Sequence, residues 1–433
     1  MKTLERIYQY YSKRNIISTD SRKIDEGCVF VALKGERFDG NDFAYQVAIE
    51  GKAACVIADR KDLPAHERLF IVENSLTTLQ HLARLHRERC NIPIIGITGT
   101  NGKTTTKELV ATTLSKKYNI IYTQGNFNNH LGVPLTLLRI KPETELAVVE
   151  MGANHPGEIA QLCEIAQPDY GIITNIGKAH IEGFGSFDGV IKTKNELYQY
   201  LRTKGESLKT KVFVNGNNEL LMKLSDGMDR IVYKTTDNRQ QTTDLTSPFL
   251  EIDWNNNNIK THLVGDYNYE NVMAAIAVGT YFGVEENLIM EALENYVPSN
   301  NRSQFIRSEK NEIVMDAYNA NPSSMTVALD NLSSVISDHK VALLGDMLEL
   351  GDDSENLHAE IAGKAFEAGL SLICFVGGEF AKVRNACACG KNVMWFATSD
   401  ELAAWLDENP LNGAVVLIKG SRGTRMEKVM TAL

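Results

Sequence analysis

The residues best suited to chemistry form one run, Gly96-Ile97-Thr98-Gly99-Thr100-Asn101-Gly102-Lys103-Thr104-Thr105-Thr106. It follows the apolar stretch Ile92-Pro93-Ile94-Ile95 and opens a helical pattern over 103–117, the setting a phosphate-binding loop requires. Glycines let backbone N–H groups converge on phosphate oxygens, and the helix N-terminus adds its dipole at the same place. Lys103 would span the β- and γ-phosphates of a nucleoside triphosphate, and the Thr104 hydroxyl would ligate Mg²⁺. The common form of this loop carries glycine where this chain has Ile97. Here the glycines fall at positions 96, 99 and 102, which suggests a subclass.

A nucleotide loop also needs an acid for its metal. Leu146-Ala147-Val148-Val149-Glu150 ends an apolar strand in a carboxylate, the arrangement of a second Mg²⁺-anchoring group. His180 follows another apolar run, Tyr170–Thr174, and a strand of the same sheet would bring it to the same edge as Glu150. On residue type alone, His180 is a loop hydrogen-bonder and Lys194, on the next helix, a solvated surface lysine. Asn128 and Asn129 are, on the same terms, a turn pair that satisfies its own backbone.

These residues need a scaffold, and the patterning predicts an α/β chain of three domains, about one per 150 residues. Residues 1–90 form a small mixed domain, with buried strands at 28–33 and 53–58, helical periodicity over 43–49 and an amphipathic helix over 76–89. Residues 91–300 form a central domain whose strands at 92–98, 120–123, 146–150 and 170–174 alternate with helices at 103–117 and 156–166. That alternation predicts a parallel sheet covered on both faces. Residues 229–264 look different: 249–254 and 259–264 flank Asn255-Asn256-Asn257-Asn258 as an antiparallel hairpin, and helices at 271–282 and 284–295 follow. The polar stretch Val297–Ser303 marks the second boundary. Residues 301–433 resume the βα pattern as a Rossmann-like domain, with strands at 312–316, 340–345, 371–376 and 414–418. Its helices are expected at 323–335, 354–368, 399–408 and 422–431.

Composition excludes several classes. The chain has 433 residues, 45 Lys+Arg against 55 Asp+Glu and a net charge of −10, which argues against a nucleic-acid partner. It leaves room for anionic small substrates in a locally basic cleft. No stretch approaches the about 18 apolar residues of a membrane span, and the N-terminal Met1–Arg6 is charged where a signal peptide would be apolar. The seven cysteines are scattered, and Cys387 and Cys389 have no second pair beside them, so free thiols are expected. The chain reads as cytoplasmic, soluble and reduced.

Several motifs together resemble the Mur ligases of peptidoglycan synthesis. They are the loop 98–106, Gly125-Asn126-Phe127-Asn128-Asn129-His130-Leu131-Gly132, Glu150-Met151-Gly152-Ala153-Asn154-His155-Pro156-Gly157 and Asp316-Ala317-Tyr318-Asn319-Ala320-Asn321-Pro322. The likeness extends to Asp20-Ser21-Arg22 and Phe30–Gly40 near the start, and to Leu344–Gly351 and Lys419-Gly420-Ser421-Arg422 near the end. Within the family it is to the ligase that acts last. The resemblance implies ATP-dependent joining of D-alanyl-D-alanine to UDP-N-acetylmuramoyl-tripeptide (UDP-MurNAc-tripeptide) through an acyl phosphate, by a monomer.

It also implies roles. Gly99, Thr100, Asn101, Gly102, Lys103, Thr104 and Thr105 would bind ATP, with Asn271 at the adenine, Arg302 toward phosphate and Asp316 toward ribose. Thr104 and Glu150 would hold one Mg²⁺, and His180 and a carbamylated Lys194 a second. Asn128 and Asn129 would orient the acyl phosphate. Ser21, Arg22, Lys34, Gly35 and Arg37 would take the uridine diphosphate, and Asn319, Asn321, Lys419, Ser421 and Arg422 the incoming dipeptide or the acyl phosphate. The family often has His shortly before Asn271, where this chain has Tyr267-Asn268. The nearest alternative is another ligase of the superfamily, adding one amino acid or extending folate. From a different class comes a nucleotide-driven ATPase switch.

Overall fold

The computed structural model describes residues 2–205, 210–234, 239–240, 249–298, 302–384 and 392–433. Cys387, Cys389 and the linker residues Ser299-Asn300-Asn301 lie outside the described residues.

The first part of the chain runs α1 (Lys2–Tyr11), β1 (Ile17–Ser18), β2 (Val29–Val31), α2 (Asn41–Glu50), β3 (Cys55–Ala58), β4 (Leu69–Ile71), α3 (Ser75–Cys90). Its strands form a parallel sheet in the order β1-β2-β3-β4. β2 and β3 are buried at every position, which is why both read as unbroken apolar runs. Ala44, Val47 and Ala48 of α2 cover one face. α1 and α3 cover the other and continue into the next domain. Ile7, Tyr11, Leu79 and Leu82 share one core with Leu137 and Leu162, and Tyr11 donates its hydroxyl to the Leu138 carbonyl.

The central domain runs β5 (Ile94–Thr98), α4 (Lys103–Leu114), β6 (Ile120–Tyr122), α5 (Gly132–Leu137), β7 (Leu146–Glu150), α6 (Glu158–Ala166), β8 (Tyr170–Ile173), α7 (Ile181–Phe184), α8 (Phe187–Gly205), β9 (Lys211–Asn215), α9 (Glu219–Leu224), β10 (Arg230–Tyr233). The strands are parallel in the order β10-β9-β8-β5-β7-β6. From β5 the chain goes out to β6, returns through β7 and crosses to β8. The C-terminal end of β5 is therefore where strand order reverses, the usual place for a ligand crevice.

One boundary differs from the sequence reading. The patterning sets the segment from 229 apart, yet β10 is the edge strand of the parallel sheet. The antiparallel piece is β11 (Arg239–Gln240), β12 (Phe249–Trp254) and β13 (Asn257–Val264). Asn255 and Asn256 take φ of 51° and 63°, the left-handed pair that closes a two-residue hairpin. α10 (Asn268–Tyr281) and α11 (Glu286–Glu294) follow, and Val272, Ala275 and Ile289 pack with Leu109 and Val110 of α4. α10 begins three residues before Asn271, so Asn271 sits inside its first turn.

The last domain runs β14 (Gln304–Arg307), β15 (Glu312–Asp316), α12 (Pro322–Ser334), β16 (Lys340–Gly345), α13 (Ser354–Glu367), β17 (Leu372–Val376), α14 (Gly378–Val383), β18 (Val393–Phe396), α15 (Ser399–Glu408), β19 (Val415–Lys419). The sheet order is β14-β15-β19-β16-β17-β18, with β14 antiparallel to β15. The sequence reading lacked β14, β18 and α14. The helix expected over 422–431 is two 3₁₀ segments, Arg422–Thr424 and Met426–Ala432. Arg425 between them takes a left-handed φ of 52°, which an α-helix cannot continue through.

Candidate active site

The ends of β5, β7 and β8, the start of α10 and the face of the C-terminal domain enclose one cavity of about 980 Å³. That is the upper end for small-molecule sites and roomy enough for more than one ligand.

The loop between β5 and α4 is stitched to the end of β8. Thr100 N–H donates to the Asn175 carbonyl at 2.9 Å, Asn101 N–H to Asn175 Oδ1 at 2.9 Å, and Thr174 Oγ1 to the Asn101 carbonyl at 2.6 Å. Two glycines make this possible. Gly99 has φ of 144°, and an added Cβ would lie 2.0 Å from Thr174 Oγ1. Gly102 has φ of 76°, and its Cβ would lie 2.5 Å from Asn271 Oδ1. The Lys103 ammonium folds over the loop, donating to the Gly99 and Thr100 carbonyls at 2.9 Å each. Desolvation draws its pKa down to about 8, against the opposing pull of Glu150. Thr105, two residues on, also lines the cavity.

Glu150 is almost wholly buried at the end of β7. Its Oε1 accepts from Thr104 Oγ1 at 3.1 Å and from Asn128 Nδ2 at 2.8 Å. Its Oε2 is buried and has no hydrogen-bond partner among the described residues. A carboxylate oxygen left bare beside a phosphate-loop threonine fits a hard cation. Among the described residues no three His, Cys, Asp or Glu side chains converge as a ready-made metal cage. A cation here would take its remaining ligands from water and substrate phosphates, as Mg²⁺ commonly does.

Lys194 contradicts its surface reading. It is 2 % exposed, its Nζ donates to the Ala153 carbonyl at 3.4 Å and lies 5.1 Å from the Phe184 ring centroid. Burial, with the Lys103 charge adding to it, draws the ammonium down to about 7. Lys194 is not among the residues lining the cavity; His180 is, and its Nδ1 pairs with the Glu349 carboxylate of the C-terminal domain.

Asn271 also lines the cavity. Its Oδ1 accepts from Thr106 Oγ1 at 3.0 Å and its Nδ2 donates to Asn268 Oδ1 at 2.9 Å. The next domain brings Arg302, Asp316, Asn319, Asn321 and Lys419 to the same space. The Arg302 guanidinium stacks 3.6 Å from the Tyr318 ring centroid, with Arg422 at 5.4 Å. Asp316 is ion-paired with Lys419 and accepts from Ser303 N–H at 3.2 Å. Asn319 accepts from Ala320 N–H at 2.9 Å.

Two candidates bond the backbone, Asn129 while also lining the cavity and Ser421 outside it. Asn129 Oδ1 accepts from the N–H groups of Leu131 and Gly132 at 3.1 and 2.9 Å, the turn-pair behaviour of its residue type. Ser421 is buried, donating to the Ala320 carbonyl and accepting from Leu348 N–H at 3.0 Å, so it braces two loops away from the cavity.

Ser21, Arg22, Lys34, Gly35 and Arg37 do not line this cavity. They cluster on the loops after β1 and β2, at the C-terminal edge of the first sheet. Arg22 forks onto Asp20 with two contacts of 2.9 Å, and Gly35 N–H donates to the Phe38 carbonyl at 2.8 Å. Sequence reasoning missed Asn175 and Glu349, and placed Asn101 in the loop without its partner Asn321. Only Asn175 carried a signal, as the polar residue just beyond a buried strand.

Residues 13–87 match the catalytic domain of the Mur ligase family, 97–279 the Mur ligase middle domain and 301–422 the Mur ligase, glutamate ligase domain. A UDP-N-acetylmuramoyl-tripeptide–D-alanyl-D-alanine ligase of Bacillus subtilis is 34% identical, over 96% of this chain and 92% of its own length. The crystal structure of MurF from Acinetobacter baumannii superposes with a TM-score of 0.85 at 29% identity, over 99% of this chain and 97% of that one. A MurF ligase from Thermotoga maritima, solved in complex with ADP, gives 0.81 at 28% identity, over 96% of each chain.

Proposed function

The chain belongs to the Mur ligase family, and from that membership we propose that it joins D-alanyl-D-alanine to the terminal carboxylate of UDP-MurNAc-tripeptide with ATP as the driving substrate. The observation that carries the reading is the single cavity onto which the phosphate loop, Glu150 and the C-terminal Asn321 and Lys419 all face. A nucleotide switch has no need of a second domain's polar side chains over its phosphate loop.

A carboxylate becomes reactive toward an amine only when one oxygen becomes a good leaving group. The tripeptide carboxylate attacks the γ-phosphorus of ATP, ADP departs and an acyl phosphate remains. The dipeptide amine then adds to the acyl carbon and loses a proton, and the tetrahedral intermediate collapses with release of inorganic phosphate. The protein's work is to bring anions together and neutralise them. Lys103 supplies a fixed positive charge at the loop, and the N–H groups at the start of α4 supply partial charges. Asn128 holds Glu150 so that one oxygen stays free.

Mg²⁺ held by Thr104 and Glu150 would neutralise phosphate oxygens, and a second ion would fall to His180 and Lys194. A lysine titrating near 7 offers a neutral amine at physiological pH, the form that adds to CO₂ to give a carbamate. Carbamylation would turn a buried cation into an anion suited to face that ion. In this reading the Ser21–Arg22 and Lys34–Arg37 loops hold the uridine diphosphate, and the enzyme acts as a cytoplasmic monomer. Among the described residues no helix is long and apolar enough to cross a membrane.

Phosphate release tests the reading with ATP, Mg²⁺ and, in turn, UDP-MurNAc-tripeptide, D-Ala-D-Ala, both, and single amino acids. Release is expected only with tripeptide and dipeptide together. Release that ignores every acceptor would overturn the proposal in favour of a nucleotide switch.

A further inference from the structure

Glu349 sits in the loop after β16, and its carboxylate reaches across to His180, 169 residues earlier and in the other domain. Two further contacts lie at the same seam. Ile181 of α7 packs against the core of the C-terminal domain. Gly351 comes so near that an added Cβ would lie 3.3 Å from Glu182 Cβ. Both partners of the His180–Glu349 contact hold left-handed backbone, φ of 52° at His180 and 64° at Glu349. Non-glycine residues keep that conformation only where their surroundings enforce it.

The chemistry of the pair is directional. An ionised carboxylate can only accept, so Nδ1 of His180 is the donor and carries the proton. In the neutral imidazole the other ring nitrogen, Nε2, is then left with its lone pair. A carboxylate behind one imidazole nitrogen, fixing tautomer and ring orientation, is the common support for a histidine that ligates through the other. Here that support comes from a different domain, so it exists only while the two domains are together.

We propose that Glu349 is a positioning residue of the ligase: the C-terminal domain uses it to fix the ring and tautomer of His180, so that His180 is competent only when that domain is docked on the central one. The proposal rests on the ligase reading above. It links docking of the C-terminal domain to the readiness of the central one.

The test compares wild type, Glu349→Ala and Glu349→Gln in two measurements. In steady-state phosphate release, Glu349→Ala is expected to lose about 10- to 100-fold in kcat, the scale for removing such a supporting group, with KM for ATP and tripeptide nearly unchanged. Glu349→Gln, which keeps an accepting oxygen, should recover part of the loss. In ¹⁵N-histidine NMR of the ADP-bound protein, with His180 assigned from a His180→Gln spectrum, wild type should show the Nδ1–H tautomer. Glu349→Ala should lose that signature and Glu349→Gln retain it. A kcat within twofold of wild type, a loss confined to KM, or a His180 spectrum indifferent to position 349 would each overturn the proposal. If wild type fails to require both acceptor substrates, the ligase reading falls, while the NMR arm still judges the contact.

Discussion

The side-chain amide of Asn321 donates to Asn101 Oδ1 at 2.8 Å, joining the start of α12 in the C-terminal domain to the tip of the phosphate loop. The same Asn321 caps its own helix, its Oδ1 accepting from Ser324 N–H at 2.9 Å while Ser324 Oγ completes the capping box. One side chain thus serves both the stability of a helix and the register between domains.

Those two duties separate by substitution. Asn321→Ala removes both and should lower stability by about 1 kcal/mol, the usual value of an N-cap, as well as activity. Asn321→Asp keeps a capping oxygen and loses the donor to Asn101. Its urea midpoint should match wild type while phosphate release falls. Equal stability losses in the two variants would show that the cap is not what the carboxamide supplies.

Gly99→Ala places a methyl on a backbone with φ of 144°, pressed against Thr174 Oγ1. Relieving the clash moves the loop away from Asn175. We expect a loss of about 1–3 kcal/mol in stability and a rise of more than tenfold in KM for ATP, read by denaturant unfolding and by initial rates.

Lys103→Met should leave the fold intact, because it removes a charge that desolvation already disfavours. Turnover should fall at least about a hundredfold, the scale for removing one fixed charge-stabilising group. Circular dichroism together with single-turnover kinetics would separate the two effects.

Lys194 supplies a pH prediction. Its amine is neutral above about 7 and protonated below, and only the neutral form takes up CO₂. With ¹³C-bicarbonate, a carbamate resonance should grow as pH rises through about 7 and be missing from Lys194→Arg. A signal that ignores pH, or survives in the arginine variant, would assign the carbamate elsewhere.

His86 supplies another, on stability. It is buried between Tyr8, Tyr11 and the Ile140 carbonyl, and burial holds its pKa below the ordinary histidine value. The folded state therefore binds fewer protons than the unfolded one, and stability declines as pH falls below about 6.5. Thermal melts between pH 7 and 5 should show a shallower decline for His86→Gln than for wild type, whatever their offset at neutral pH.

Much of this site is legible in the sequence where local chemistry and long-range position coincide. Gly102-Lys103-Thr104 after a buried β5 can be little else than a phosphate loop, and Glu150 is found because β7 is apolar at each earlier position. The hairpin at Asn255-Asn256 is legible for the same reason, since asparagine tolerates left-handed backbone. β10 was missed because Arg230-Ile231-Val232-Tyr233 borders the segment that leads into the antiparallel piece, and short edge strands carry little pattern. β14 hides because Gln304 and Arg307 place polar residues at both ends of a four-residue strand. The burial of Lys194 depends on Phe184 and Ala153, which the fold brings together and which no local pattern shows. The partnership of His180 with Glu349 has no sequence signal, because each reads as an ordinary polar loop residue.

The core shared by α1, α3 and the central sheet also governs how the chain can be made. Ile7, Tyr11, Leu79 and Leu82 emerge from the ribosome long before Leu162, Leu197 and Val212, which complete their cluster. A nascent chain halted at Asn91 has its small parallel sheet but carries two helices with uncovered apolar faces. The N-terminal portion therefore cannot reach its native solubility vectorially and must wait for the strands that follow.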